Sequence, residues 1–510
     1  MSKLNKKASE GEKLLSHPDL TLNKENGVAF KTGPKVELML RIVSSLISEA
    51  GAYTPGKEMD KELLIAIEKA MCEDPKYILQ LAVFARNKLY LRSATTVLLG
   101  EYALSAGVSK VPEARKYFFN ALQRADDITE LLGYILTRKG QIDVPFKGKI
   151  PHVVKHSVAE ALKKFDAYQL AKYNRSDVEV TLRDAIFLTH PQPDNDEQAK
   201  LFASIIDGTL APPDTWEVHL SRDGSSKETW EGIIPKMGYM ATLRNLRNML
   251  ESKVNMVPVL RKLSDPSEVL KSKQFPYRFL SAYKELEGVS GASRTLAALS
   301  DALDLSAQNV PDFPGISFIT CDTSGTMNAT LSSKSKMTRK EVGCLFGAMV
   351  HKKAEDSIVA AFASEIAPVE LSYRDSTFTN MKKLFEANTH GSATNAYKVM
   401  DWLIEEKHFV DRIILFSDML CYSSSTRMAW IAVNNDQNLY LGLKKYRQQI
   451  NPNVFVYTFD LSSHGSVQFP KDDPKVCVLG GFSDKILNFI PMFERSRADM
   501  LAEIESIVPE

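Results

Sequence analysis

Cysteine is scarce in this 510-residue chain. There are five, Cys72, Cys321, Cys344, Cys421 and Cys477, with no Cys-x-x-Cys pair among them. That scatter supports neither a disulfide framework nor a thiolate zinc site, so reduced thiols are expected. Uncharged apolar runs long enough to span a bilayer are also missing, and no membrane helix is expected. Met1-Ser2-Lys3-Leu4-Asn5-Lys6-Lys7 leads into no apolar signal core. An excess of one charge is lacking too. The net charge is +1, slightly positive before residue 310 and slightly negative after it. A polyanion would therefore have to find a local patch rather than a global field. Together these absences lead to the expectation of a cytoplasmic protein that makes no use of membranes and acts as a monomer.

The chain does have the composition of an ordinary globular protein, 44% hydrophobic and 25% charged. Residues 1–28 are polar and expected to be loosely ordered. From Pro34 onward Val36, Met39, Leu40, Val43 and Ile47 recur at helical spacing, and proline is well placed at a helix start. Further helices are predicted near 58–71, 76–90, 92–106, 112–123, 127–138, 151–172, 180–188, 196–207, 227–251, 256–263, 275–286 and 293–304. Val218 to Lys227 reads as a short hairpin around Asp223-Gly224. Strand-like alternation is otherwise almost absent here, and the connections are short. Residues 29–310 are thus expected to stack helical hairpins into a HEAT-like repeat array.

The character changes at Pro311-Asp312-Phe313-Pro314-Gly315. Strands are predicted near 316–321, 357–363, 367–372, 412–417, 453–459 and 475–479. Helices are predicted near 338–354, 395–406, 437–449 and 484–505. Ile413-Ile414-Leu415-Phe416 is a continuous apolar run of the kind buried on both faces in a parallel sheet. Val342, Leu345, Phe346, Met349 and Val350 form one helical stripe. Residues 311–510 are expected to be a doubly wound α/β domain, making the whole chain multidomain, α followed by α/β.

Three loops of that domain offer hard oxygen donors. The first strand ends in Asp322-Thr323-Ser324-Gly325-Thr326. Thr394 lies in Gly391-Ser392-Ala393-Thr394-Asn395, just before a helix, and Asp418 follows the strand 412–417. Loops at the C-terminal edge of a parallel sheet can converge, and carboxylates with hydroxyls suit Mg2+ or Mn2+. Two other readings of the first loop exist. Ser324 and Thr326 could merely cap the next helix. The stretch also resembles the phosphorylated Asp-Lys-Thr-Gly-Thr loop of cation-pumping ATPases, but it lacks the lysine and the membrane helices. Asp322, Ser324, Thr326, Thr394 and Asp418 together resemble the metal-ion-dependent adhesion site of a von Willebrand factor A domain, with Thr326 where the family has serine. That resemblance implies a divalent ion with one position open to an acidic group of a partner protein.

The first half carries several telling stretches: Thr229-Trp230-Glu231-Gly232-Ile233-Ile234-Pro235-Lys236-Met237, Leu243-Arg244-Asn245-Leu246-Arg247-Asn248-Met249 and Phe275-Pro276-Tyr277-Arg278-Phe279-Leu280-Ser281. Upstream lie Leu182-Arg183-Asp184-Ala185-Ile186-Phe187-Leu188-Thr189-His190-Pro191 and Ala85-Arg86-Asn87-Lys88. Together they resemble the TROVE domain of the Ro ribonucleoprotein autoantigen family, with features of its bacterial members. The resemblance implies a repeat ring closed through the A-type domain. It also implies binding of small noncoding Y RNAs outside the ring and of the single-stranded ends of misfolded RNA in its hole. In bacterial relatives it implies tethering to an exoribonuclease, polynucleotide phosphorylase. Lys172, Arg175 and His190 match the family's RNA-contacting positions; a solvated helix end and a helix cap are the plainer readings of these residues. Arg244 and Arg247, with Asn245 and Asn248, form i, i+3 pairs on one predicted helix. Lys271, Lys273, Arg278 and Lys284 interleave with Phe275, Tyr277 and Tyr283, which fits either a phosphate-and-stacking surface or an aromatic core face. The expectation is a non-catalytic RNA-binding protein. Its rival is a metal-dependent protein-binding adaptor that uses no RNA.

Overall fold

The computed structural model describes residues 20–22, 28–44, 61–105, 111–140, 149–331, 335–421, 438–462, 466–470, 473–480, 484–496 and 500–509. The chain forms two compact units that interleave in sequence. One comprises Leu46–Gly238, Glu251–Pro258 and Met500–Glu510; the other comprises Met1–Ser45, Tyr239–Leu250 and Val259–Asp499. The predicted helical residue Ile47 lies outside the described residues.

In the helical unit, helices follow in consecutive pairs along the chain: Pro75–Asn87 then Arg92–Leu104, Ala114–Ala121 then Ala125–Arg138, His152–Leu162 then Ala167–Tyr173, and Leu182–Thr189 then Asp196–Ile206. The first helices of successive pairs pack on one another, and the second helices of the first three pairs do the same. This two-layer stacking buries a continuous core, as in a helical solenoid. Side-chain caps set the starts. Asp74 accepts from the amides of Lys76 and Tyr77 at 3.0 and 3.4 Å, and Asp166 and Thr181 close capping boxes with Gln169 and Asp184. The box at Asp166 restarts the chain, so the single helix expected over 151–172 is two. The helix expected over 227–251 is likewise cut after Ile233, where Pro235 offers no amide to an α-helix. The predicted hairpin at Val218–Lys227 is corrected to a helix stop and start. Helix Trp216–Asp223 ends on Gly224 at φ +77°, and Ser226 caps the next helix by accepting from the Thr229 amide at 3.2 Å. The turn residues were legible there, but they punctuate helices.

The second unit holds strands β1 (Leu20–Leu22), β2 (Val28–Lys31), β3 (Phe313–Asp322), β4 (Ala354–Phe362), β5 (Ile366–Pro368), β6 (Arg412–Ser417), β7 (Phe455–Asp460), β8 (Ser466–Val467) and β9 (Val476–Gly480). The main sheet runs β5-β4-β3-β6-β7-β9, parallel except for the antiparallel edge strand β5. Side chains alternate between its faces. Phe318, Ile413 and Leu415 join a core with Val399, Met400 and Leu443 from helices Tyr397–Glu405 and Leu439–Gln449. On the other face, helix Arg339–Lys353 lays Gly347 against Cys321 and Ile319, and Phe346 stacks on Phe416 at 6.2 Å.

Two expectations change in this unit. Residues 1–28 were expected to be loosely ordered, yet Leu20–Leu22 pairs with β2, which pairs with β8 in a small antiparallel sheet. The alternation in Leu20-Thr21-Leu22 and Val28-Ala29-Phe30 was too short to register as strand. The helix expected over 484–505 divides into a 3₁₀ turn Asp484–Asn488 and helices Phe489–Ser496 and Met500–Glu505, the last of which belongs to the helical unit. There Gln80 donates its side-chain amide to the carbonyls of Glu505 and Ile507 at 2.6 and 3.1 Å. Residue 311, where the sequence changes character, lies within this unit. Tyr283 packs on Phe378 at 4.5 Å between centroids, and Asp304 accepts from the Thr377 amide at 2.9 Å.

The polar anchor of the helical unit is Asp127. Its Oδ2 accepts from Arg86 Nη2 at 3.0 Å and from the amides of Gln123 and Arg124 at 3.1 and 2.9 Å, and its Oδ1 accepts from Arg92 Nε at 3.0 Å. Both Arg86 and Asp127 are buried. Removing one partner of such a pair leaves a charge desolvated, which costs roughly 3–5 kcal/mol. Asp127→Ala should therefore lower the chemical denaturation midpoint sharply, whereas the paired change Arg86→Met with Asp127→Leu should lower it much less.

Candidate functional site

Strand register assembles the candidate metal centre. Asp322 is the last residue of β3 and Ser417 the last of β6, the neighbouring parallel strand; Cys321 lies opposite Phe416. Ser417 Oγ therefore donates to Asp322 Oδ2 at 2.6 Å, and the Ser324 amide donates to Asp322 Oδ1 at 2.9 Å. Next in sequence, Asp418 accepts from the Leu420 amide at 3.2 Å through Oδ1. Ser324 Oγ and Thr326 Oγ1 lie 3.3 Å apart. The loop carrying Thr394 is tied to the first loop by the Gly325 amide, which donates to the Ser392 carbonyl at 2.9 Å. A Cβ on Gly325 would stand 3.2 Å from Ser392 Cβ, so glycine permits that approach. Asp322, Ser324, Thr394 and Asp418 are all buried.

The electrostatics favour a cation here. Burial, followed by the charge of Asp418, pushes the Asp322 carboxyl up to about 7; the Ser324 and Ser417 hydrogen bonds partly oppose this. Two desolvated carboxylates side by side call for positive charge. Among the described residues, no cluster of three His, Cys, Asp or Glu side chains could hold a metal ion. An ion at Asp322 and Asp418 would thus depend on the hydroxyls of Ser324, Thr326 and Thr394 and on water. The donor set fits Mg2+ or Mn2+ and does not suit a soft metal.

Arg339 is a participant that sequence reasoning missed. Its Nη1 lies 3.7 Å from Asp418 Oδ2. Ser417 and Ser392 also went unassigned, although both adjoin residues that were singled out.

The cationic residues fall into two groups, one in each unit. In the helical unit, Lys172 and Arg124 both approach the Tyr173 ring, at 5.7 and 4.5 Å from its centroid. Arg175 pairs with Asp177 at 2.5 Å and senses the charges of Asp126 and Glu130. Arg124 and Lys172 thus flank one tyrosine beside an acidic helix start, where Arg124 also pairs with Asp126 at 2.8 Å, and Arg175 follows two residues on. Arg124 was not singled out from the sequence. His190 stands apart. It is the C-cap of helix Leu182–Thr189, in the left-handed region at φ 51°, and it is exposed. Among the described residues no hydrogen bond, ion pair or ring contact joins it to Lys172 or Arg175. Arg183 and Phe187 share its exposed face, and the Arg183 guanidinium stands 5.5 Å from the Phe187 ring.

In the other unit the expected single helix bearing Arg244 and Arg247 breaks at buried Asn245, whose side-chain amide donates back to the Ala241 carbonyl at 2.9 Å. Arg244 and Arg247 are exposed, and Arg247 reaches Glu285 at 3.5 Å. Lys271 and Lys273 are exposed at the end of helix Pro266–Ser272. Arg278 lies 5.4 Å from the Tyr277 ring. Tyr277 is buried, Tyr283 packs on Phe378, and Lys284 pairs with Glu341 at 2.6 Å. Tyr277 is thus core, while Phe275, stacked on Tyr277 at 5.6 Å, and Tyr283 are half-buried.

The TROVE domain family matches residues 32–209 and 208–295, and the Ro60 vWA domain family matches residues 317–494. The chain belongs to the TROVE family. This is an RNA-binding family. The TROVE chain shares its fold with the crystal structure of the Deinococcus radiodurans Ro (RSR) protein: TM-score 0.60, 17% identity, covering 89% of this chain and 98% of that one. Telomerase protein component 1 of Rattus norvegicus is 23% identical over 367 residues, 56% of the TROVE chain and 14% of the rat protein. The Mus musculus protein of the same name is 36% identical over 94 residues, 18% of this chain and 4% of the mouse protein. The chain therefore spans a small part of these two relatives. Among its described residues, no helix is long and apolar enough to cross a membrane.

The raised Asp322 carboxyl gives a pH test on the TROVE chain. In the folded protein the group binds its proton more tightly than in the unfolded chain. Its contribution to stability is thus fully present below the ordinary carboxylate range and is lost as pH rises through about 7. Asp322→Asn removes that titration. In chelator, the melting temperature of Asp322→Asn relative to wild type should move in the variant's favour as pH goes from 5 to 8. A difference that stays flat would contradict a desolvated Asp322.

Proposed function

We propose that this TROVE chain is a non-catalytic, cytoplasmic RNA-binding protein. It scaffolds a small structured noncoding RNA of the Y type and takes the single-stranded ends of misfolded RNA, in RNA quality control or stress survival. The observation that carries this reading is the pair of cations Lys172 and Arg124 at the Tyr173 ring, with exposed Arg175 two residues on, in a family that binds RNA. Cations of this kind hold phosphates without reading sequence, and an aromatic ring among them can meet a base. An exoribonuclease such as polynucleotide phosphorylase would be a natural partner for an RNA held this way.

The vWA half adds a second binding mode. Asp322, Ser324, Thr326, Thr394 and Asp418 would hold Mg2+ or Mn2+. When bound, the ion supplies an electrophilic position for the carboxylate of an acidic protein ligand. The buried carboxylates fix the donor geometry, the Ser417 hydroxyl and Ser324 amide orient Asp322, and the packed sheet edge limits water. The adaptor reading, with this site as the working surface and no RNA, rests on the same desolvated carboxylate pair.

Two measurements separate these readings. In a gel-shift titration with a structured RNA carrying a free 3′ tail, wild type should bind in a salt-dependent manner and keep binding in EDTA. The triple variant Lys172→Ala, Arg175→Ala, His190→Ala should bind at least about tenfold more weakly. Its salt slope should drop by about 0.7–0.9 for each phosphate that it no longer neutralises. No binding by wild type at moderate salt would sink the RNA reading; unchanged binding by the triple variant would move the site to other residues. By calorimetry, wild type should bind Mn2+, and Asp322→Ala should lose most of that affinity.

A further inference from the structure

We propose that Arg339 is a built-in counter-ion for Asp418 that competes with a divalent cation at the vWA site and thereby sets how tightly the ion is held. This rests on reading Asp322, Ser324, Thr326, Thr394 and Asp418 as a cation site. Asp418 is fully buried, its Oδ1 accepts from the Leu420 amide, and its Oδ2 is the atom that faces the Arg339 guanidinium at 3.7 Å. That separation is an ion-pair distance and too long for a hydrogen bond, so the guanidinium shields the carboxylate without being locked to it. The Arg339 side chain keeps 21% of its exposure and has solvent to move into.

The position of Arg339 is not explained by its own helix. It is the first residue after the Thr338 cap of helix Arg339–Lys353. A cation in a first helical turn stands against the helix dipole. Its backbone is nevertheless anchored there. The Arg339 amide donates to the Ala329 carbonyl at 3.0 Å, in the segment that continues from Thr326, and Thr338 closes a capping box with Glu341. Neighbouring lysines are directed elsewhere: Lys340 stands 4.2 Å from the Phe385 ring, Lys284 pairs with Glu341 and Lys336 with Glu285. A divalent ion reaching Asp418 through Oδ2 would meet the guanidinium at a few Å. The two positive charges would repel, and the arginine must swing outward as the ion enters.

The test uses the full chain and Mn2+ alone, with calorimetric affinity and melting temperature as readouts. Arg339→Gln should bind Mn2+ about tenfold more tightly than wild type, a range that charge repulsion at this separation allows. In chelator it should melt lower than wild type, because buried Asp418 loses its counter-charge. Arg339→Lys, shorter but still charged, should fall between the two. Lys340→Gln removes a like charge that does not face Asp418 and should stay within about twofold of wild type. Tighter binding by Arg339→Gln alone, or binding that appears only in that variant, supports the proposal. Equal or weaker binding by Arg339→Gln overturns it, as does an equal gain in Lys340→Gln. Mn2+ binding by neither wild type nor Arg339→Gln would overturn the cation reading itself, and the proposal with it.

Discussion

The parallel pairing of β3 with β6, and of β6 with β7, is the constraint on which the vWA half depends. It ends three strands on one edge, with Asp322 beside Ser417 and Ser417 opposite Asp460. Each of those carboxylates is buried. A low-dielectric edge lined with acids is costly unless every oxygen is bonded or neutralised. Much of the local detail answers that cost. The Ser417 hydroxyl and the Ser324 amide take the two oxygens of Asp322; the Leu420 amide and Arg339 face those of Asp418; and the Ser462 amide donates to Asp460 at 2.8 Å.

The helical unit meets a related cost differently. Its hairpins bury apolar faces in two layers, and the turns between layers gather charge. Asp127 bonds two arginines and two amides at one such turn. The acidic start of helix Ala125–Arg138 then holds Arg92, while Arg124 turns its guanidinium over Tyr173. Nearby, burial pushes the Lys164 amine down to about 8 even as it donates to the Leu122 carbonyl at 2.9 Å. Bonded and exposed cations are therefore neighbours in this unit: Arg86 is buried against Asp127, and Lys172 is exposed at a helix end.

Much of the fold was legible because its signals are local. Helical spacing marked the repeats, proline and glycine marked the breaks, and the apolar run at Ile413–Phe416 marked a strand buried on both faces. The failures were also local in cause. Short elements such as Leu20–Leu22 carry too few residues to show a period, and helix Thr377–Phe385 was hidden by β-branched threonines in its first turn. At Asp166 and Pro235, long helices were predicted straight through a capping box and a missing amide.

By itself the sequence determined the donor types. Asp322, Ser324, Thr326, Thr394 and Asp418 could be named as candidates because each sits at a strand end or just before a helix, and oxygen donors of this kind would suit a hard cation. Likewise the run from Thr229 to Ser281 identified the family of the helical half. Tertiary structure decided what surrounds those residues. Only strand register puts Ser417 on Asp322. Only the packing of helix Arg339–Lys353 brings an arginine to Asp418 from 79 residues away in sequence. Only the stacking of hairpins places Arg124 on Tyr173. The physical reason is the same in each case: a side chain's chemistry is written in its own residue, whereas its electrostatic environment is made by residues distant in the chain and close in space.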